Sequence, residues 1–357
     1  MPLDSRCWTY QEILLSRRIL SFYADGLEWQ CPSQIESDDM LQAEEASIAK
    51  ASSSSSRTTE ALRQLALAPQ TQSLSRLWWT LVADYSMGDL TVLDDKLLAL
   101  SAIASEFHHL RPDQYLAGLW RSTIVMDLLW STRHKDVSDG HRSVIKSRER
   151  ETKYPIPTWS WSSLNRATIS NYPGSFDTPS PRVDIRTCET FPVSEGAPFG
   201  LINGGTLILS APVKKLGIRD VWKHFCADAF GNFGPLHKRE MPERLGSLVL
   251  DDAPHFGHLV GDTTDEENED LLACRLGLPC GENMVCFLGL ARKDESGVET
   301  SGLALVRRGD GKFERVGIFY AGATFMNREP DREPDTVQQG LMDRWGDDYV
   351  INTMSIV

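Results

Sequence analysis

Apolar and polar positions change period several times along the chain, and each change marks an element. The opening stretch "SRCWTYQEILLSRRILSFYADGLEWQC" mixes Trp8, Ile13 and Leu15 with Glu12 at the spacing of a short helix, which Ser5 can cap and Ser16 to Arg18 end. A hairpin is expected next, with strands at Arg18 to Tyr23 and Leu27 to Cys31. The "ADG" between them supplies a glycine for the positive φ of a short loop.

From Ser73 onward the spacing predicts three helices, "SLSRLWWTLVADYS", "DDKLLALSAIASEFHHL" behind a capping Asp94, and "PDQYLAGLWRSTIVMDLLWST" behind Pro112. In the third, Leu116, Trp120, Ile124 and Leu128 recur every four residues and make one apolar ridge. The period then shortens to two. "PTWSWSS" alternates Trp159 and Trp161 with serines, as in a strand whose indoles share a face. Strand-like runs follow at "RVDIRTCETF", "GTLILSAPVKKL", "GSLVLD", "MVCFLGLARK", "SGLALVRR" and "FERVGIFYAGATF", with "RGDGKF" as the turn of a last hairpin.

Polar stretches separate these blocks. Residues 37–72 carry acidic residues and the run Ser52 to Ser56, the composition of a linker, and residues 134–157 form a basic polar loop. The chain therefore divides into residues 1–36, the linker 37–72, a helical section 73–133, the loop 134–157 and a β-rich part 158–357. The expected class is α+β, with a C-terminal sandwich or barrel. Within the last part, Asp251 to Asp270 is rich in Asp and Glu and is expected to be exposed and mobile.

Composition narrows the function classes. A formal net charge of -13 opposes a sequence-independent grip on nucleic-acid phosphates or on an anionic membrane. Seven cysteines without a dense framework, no leader and no apolar run of bilayer length point to reduced thiols in the cytosol or nucleus. His255 and His258 with Asp251, Asp252 and Asp262, or Cys274, Cys280 and Cys286, lack the spacing of a zinc site, so no metal is expected. Trp78, Trp79, Trp120, Trp130, Trp159 and Trp161 read as core, and a G-x-S-x-G elbow and a Walker loop are both missing.

Several ordered blocks carry a resemblance: "RCWTYQEILLSRRILSF", "LEWQC", "WWTLVADYSMGDLTVLDDKLLALSAIA", "YLAGLWR", "LLW" and "PTWSWSS". Together, over Ser5 to Ser163, they resemble the fungal heterokaryon-incompatibility (HET) domain. The family's N-terminal blocks have no counterpart before Met1, so residues 1–36 read as the C-terminal part of such a domain, a remnant of a TIR-like α/β fold. The resemblance implies a role in fungal self/non-self recognition and programmed cell death. Its partners would be other HET or pattern-recognition proteins or a second copy of the chain.

Trp8 and Glu12, four residues apart, resemble the W-x-x-x-E of TIR-like domains, where a glutamate serves in NAD cleavage. By that likeness Glu12 is the candidate catalytic carboxylate, stabilising the oxocarbenium-like charge as nicotinamide leaves. Trp8 would wall the pocket, Arg6 would contact a phosphate, and NAD would be the substrate, with no resident cofactor. From the residues alone, Trp8 packs, Glu12 is solvated, and Arg6, Arg17 and Arg18 are surface. Two further readings stay open: a non-catalytic HET chain that binds and modulates full-length partners, and a small-molecule pocket enzyme.

Overall fold

The computed structural model describes residues 6–22, 26–31, 34–37, 71–133, 155–164, 168–171, 177–179, 182–218, 220–221, 246–251, 284–293, 299–321 and 350–357. Ser5, most of the Ser-rich linker, residues 134–154 and residues 252–283 lie outside them. The fold is α+β, with a barrel-like C-terminal sheet.

Helix α1 runs Cys7–Leu15 and ends where the Ser16 amide and hydroxyl both donate to the Glu12 carbonyl. The expected hairpin forms as β1 (Ile19–Phe22) and β2 (Leu27–Cys31), and a third strand that the sequence did not announce, β3 (Gln34–Ser37), extends it into an antiparallel sheet.

Helix α2 (Thr71–Ser86) buries Leu74, Leu77, Trp78, Leu81, Val82 and Tyr85, one stripe at three- and four-residue spacing. The segment expected as one capped helix from Asp94 begins instead with two 3-10 turns, Leu93–Lys96 and Leu98–Leu100. Only then does α3 (Ser101–Leu110) start, and Asp94 lies inside the first turn.

The third expected helix is the largest correction. Tyr115–Leu116 (β4) and Leu119–Trp120 (β5) pair as a minimal hairpin across Ala117 (φ 51°) and Gly118 (φ 96°). Two successive positive φ values are those of a type I′ turn, which a helix cannot contain. A 3-10 turn at Arg121–Thr123 and one helical turn, α4 (Ile124–Asp127), complete the segment. Asp127 explains this compactness. Its buried carboxylate accepts from the Trp79 indole (3.0 Å), the Trp120 amide (3.0 Å) and the Thr123 hydroxyl (2.8 Å), tying α2 to the hairpin.

Burial pushes the Asp127 carboxyl up from 3.8 to about 6, against the pull of those three donors. Its folded value lies above its unfolded one, so the folded state holds the extra proton between about pH 4 and 6. From this group stability should fall as pH rises through that window. Unfolding midpoints taken from pH 4 to 6.5 should show that fall in the wild type. In Asp127→Asn, destabilised throughout because an amide faces N–H donors, the fall should be missing.

"PTWSWSS" is likewise not a strand. Ser160 caps a 3-10 turn at Trp161–Ser163 by accepting from the Ser162 amide at 3.1 Å. Both indoles are still buried, and the Trp161 N–H donates to the Gly118 carbonyl at 3.1 Å, beside that of Trp78 at 2.9 Å. Short strands β6 (Ser131–Arg133) and β7 (Thr168–Ser170) pair next to them.

The remaining strands are β8 (Asp177–Pro179), β9 (Asp184–Pro192), β10 (Ile202–Gly217), β11 (Gly246–Leu250), β12 (Met284–Lys293), β13 (Glu299–Arg307), β14 (Phe313–Ala321) and β15 (Val350–Ile356). Strands β9 to β14 follow the expected apolar runs closely, β8 and β15 were not expected, and the turn at "RGDGKF" joins β13 to β14 as expected. That hairpin does not end the chain, because β15 pairs with both β10 and β14. Since β10 also pairs with β12, the path β12, β13, β14, β15, β10 closes on itself, with β8, β9 and β11 at its margins.

One continuous cluster of buried side chains joins α2, α3 and Trp159 to Leu207, Leu288, Leu305 and Ile356 of the barrel. The first residue of the supposedly exposed acidic loop, Asp251, belongs to this interior. It is buried and paired with Arg315 of β14, Nε to Oδ2 at 2.8 Å. A lone acidic run looks solvated in sequence, but a carboxylate can enter a core when a guanidinium meets it.

Candidate functional site

Helix α1 is fastened by its first residues. The Cys7 amide donates to the Asp89 carbonyl at 3.1 Å, the backbones of Arg6 and Asp89 form an isolated parallel β-bridge, and Gln11 accepts from the Ala102 amide at 3.1 Å. These ties turn one face of α1 onto the core, where Cys7 is buried and Trp8, Tyr10 and Leu14 pack. Glu12, one helical turn beyond Trp8, is exposed, as is Arg6.

Beneath α1 lies a cavity of about 230 Å³, bordered by Cys7, Tyr85, Asp89, Lys96, Trp161 and Leu164 among others. Lys96 is buried, and its ammonium donates to the carbonyls of Ser162 (3.2 Å) and Leu164. The Tyr85 hydroxyl donates to the Lys96 carbonyl at 2.6 Å, and the Cys7 thiol to the Tyr85 carbonyl at 3.6 Å. Burial lowers the Lys96 amine from 10.5 to about 8 and raises the Cys7 thiol from 9.0 to about 11, while the Tyr85 phenol is also driven up by burial. Near neutral pH the thiol is therefore protonated and inert, and a fraction of the lysine is the free amine.

A second cavity, of about 280 Å³, lies between the 155–158 segment and the barrel, bordered by Thr158, Ser163, Gly205, Arg308 and Val357 among others. Arg308 is occupied there by Glu314 at 3.0 Å.

The structure keeps Trp8 and Glu12 one helical turn apart, as their spacing predicts, yet it places neither of them, nor Arg6, on the border of either cavity. Trp8 packs on the core. The neighbouring Cys7 reaches the cavity instead. Among the described residues no group of His, Cys, Asp and Glu side chains is placed to hold a metal ion, and no helix is long and apolar enough to cross a membrane. Cys7, Cys188 and Cys286 are free thiols. Compared with models of known families, with curated proteins and with solved structures, the chain finds no match.

Lys96 was missed in the sequence because a lysine in "DDKLLAL" reads as a solvated charge. A signal was nevertheless present: Leu93, Lys96, Leu97 and Leu100 fall at three- and four-residue spacing, so the lysine occupies a position of the buried stripe.

The other chemically notable surface is the sheet of β1 to β3. Leu20 stands opposite Trp29 and Phe22 opposite Leu27, and all four are exposed, Phe22 to 69%. Residues on alternate positions of paired strands share a face, so these side chains form one apolar patch. Exposed Arg17 and Arg18 precede it, and exposed Leu15 at the end of α1 leads into the same stretch.

Proposed function

We propose that the chain is a heterokaryon-incompatibility-type protein of fungal self/non-self recognition and programmed cell death, acting in the cytoplasm, and that residues 6–37 work by binding a partner protein. The partner would be another HET or pattern-recognition protein, or a second copy. The observation that carries this reading is the patch of Leu20, Phe22, Leu27 and Trp29, large apolar side chains left in water on paired strands. Covering each of them is worth roughly 1 kcal/mol or more, a strong incentive to associate.

Sedimentation velocity at rising concentration, alone and mixed with a full-length HET protein, tests the reading. A concentration-dependent complex should form and should be lost in Phe22→Ser combined with Trp29→Ser. If the wild type stays monomeric in both settings, the patch is not a binding surface.

NAD cleavage through Glu12, on a remnant of a TIR-like fold, is the second reading, and the helical conformation of the W-x-x-x-E segment favours it. It requires nicotinamide release from NAD that Glu12→Ala abolishes without unfolding the chain. The position of Glu12, exposed and away from both cavities, leads us to expect no release from the chain alone.

A further inference from the structure

Nothing in partner binding uses the cavity beneath α1, yet it has the makings of a covalent site. Leu90, Leu93, Trp161, Leu164 and Ile169 give it an apolar wall, Ser86, Asp89 and Lys96 a polar one, and its volume of about 230 Å³ suits a small ligand. Lys96 carries the one primary amine among the lining residues, and the carbonyls of Ser162 and Leu164 hold that amine in place. We propose that the cavity takes a small apolar aldehyde or ketone and holds it as an imine on Lys96.

Burial of both nucleophiles decides which of them reacts. The same apolar surroundings that keep the Cys7 thiol protonated release the Lys96 amine from its proton, so the site favours carbonyl chemistry over thiol chemistry. In the reaction the Lys96 nitrogen lone pair forms a bond to the carbonyl carbon, and the carbonyl π pair moves to oxygen. A proton passes from nitrogen to that oxygen, a second proton from water protonates the resulting hydroxyl, and water departs as the C=N bond forms. Neither oxidant nor reductant is consumed. The protonated imine retains one N–H, which the Leu164 carbonyl can still accept. The other titratable groups that line the cavity are Cys7 from α1, Tyr85 from the end of α2, and Asp89, which is exposed.

The full chain should be incubated with benzaldehyde or hexanal and cyanoborohydride, digested, and each lysine followed by mass spectrometry. Lys96 should be alkylated on the order of tenfold faster than exposed lysines such as Lys215 and Lys312, with a rate rising through about pH 8. Lys96→Arg should lose that site alone. Glyoxylate, small but charged, should label Lys96 no faster than the surface lysines. Labelling of Lys96 at or below the surface rate by both apolar aldehydes would overturn the proposal, and equal preference for glyoxylate would overturn its apolar selectivity. These readouts come from the wild-type chain, so they stand even if Lys96→Arg fails to fold. They are also independent of the sedimentation result.

Discussion

Arg315→Met should lower the stability of the chain by about 3–5 kcal/mol, read as an earlier urea midpoint at unchanged slope. Arg315 is fully buried in β14, and its guanidinium is used on every side. Nε and Nη2 donate to the two Asp251 oxygens at 2.8 and 3.0 Å, Nη1 donates to the Leu128 carbonyl at 2.7 Å, and Nη2 also serves the Trp130 carbonyl. Its plane sits 3.3 Å from the centre of the Trp130 ring. Methionine would fill much of the volume but leave a buried carboxylate and two carbonyls without these donors. The cost comes from those orphaned acceptors more than from lost attraction, which the combination Arg315→Met with Asp251→Leu would expose. Removing the stranded charge should recover a large part of the loss. An exposed pair gives the contrast. Arg186 and Asp184, 3.8 Å apart in water, should tolerate Arg186→Met with a change of less than about 1 kcal/mol.

That junction also marks where the sequence was legible and where it was not. The barrel strands β9, β10 and β12 to β14 could be read because strand formation leaves a local trace, short apolar or alternating runs bounded by glycine, proline and charge. The β1–β2 hairpin was announced by "ADG" for the same reason. Arg315 left no such trace. In "FERVGIFYA" it looks like one more solvated charge, and the carboxylate that makes its burial tolerable stands 64 positions away. Lys96 escaped notice in the same way, its carbonyl partners lying 66 and 68 positions downstream.

The W-x-x-x-E spacing fixed the relation of Trp8 to Glu12 along α1 correctly, since that relation is local. Which side of α1 meets the interior was settled by distant groups, Asp89, Ala102 and Tyr85, and they turned Cys7 inward and Glu12 outward. The misread 112–133 segment shows a different failure. Leu116, Trp120, Ile124 and Leu128 are all buried, as the ridge predicted, but burial every four residues is equally met by a tight hairpin followed by one helical turn. The deciding residue was Gly118.

Gly118→Ala should cost roughly 2–5 kcal/mol, from two sources that act at the same atom. The φ of 96° is one that a residue with a Cβ adopts only under strain, and the added methyl would stand 2.4 Å from the Trp161 indole nitrogen, far inside contact distance. Trp161 has no easy retreat, for its ring is buried, packs edge-on against Tyr85, and donates to the carbonyl of Gly118 itself. Either the turn opens, and the Trp120 amide, Trp79 indole and Thr123 hydroxyl gathered around Asp127 lose their geometry, or Trp161 is pushed from its seat. Trp161 also walls the cavity that Lys96 borders. A folded Gly118→Ala chain should therefore show an altered indole environment by near-ultraviolet circular dichroism, together with slower aldehyde capture at Lys96 and unchanged capture at Lys215. A stable variant with an unperturbed tryptophan spectrum would mean that the turn does not position Trp161. The link between turn and cavity rests on that one indole, which makes Gly118 the residue through which a fold feature misread in the sequence reaches the chemistry of the site.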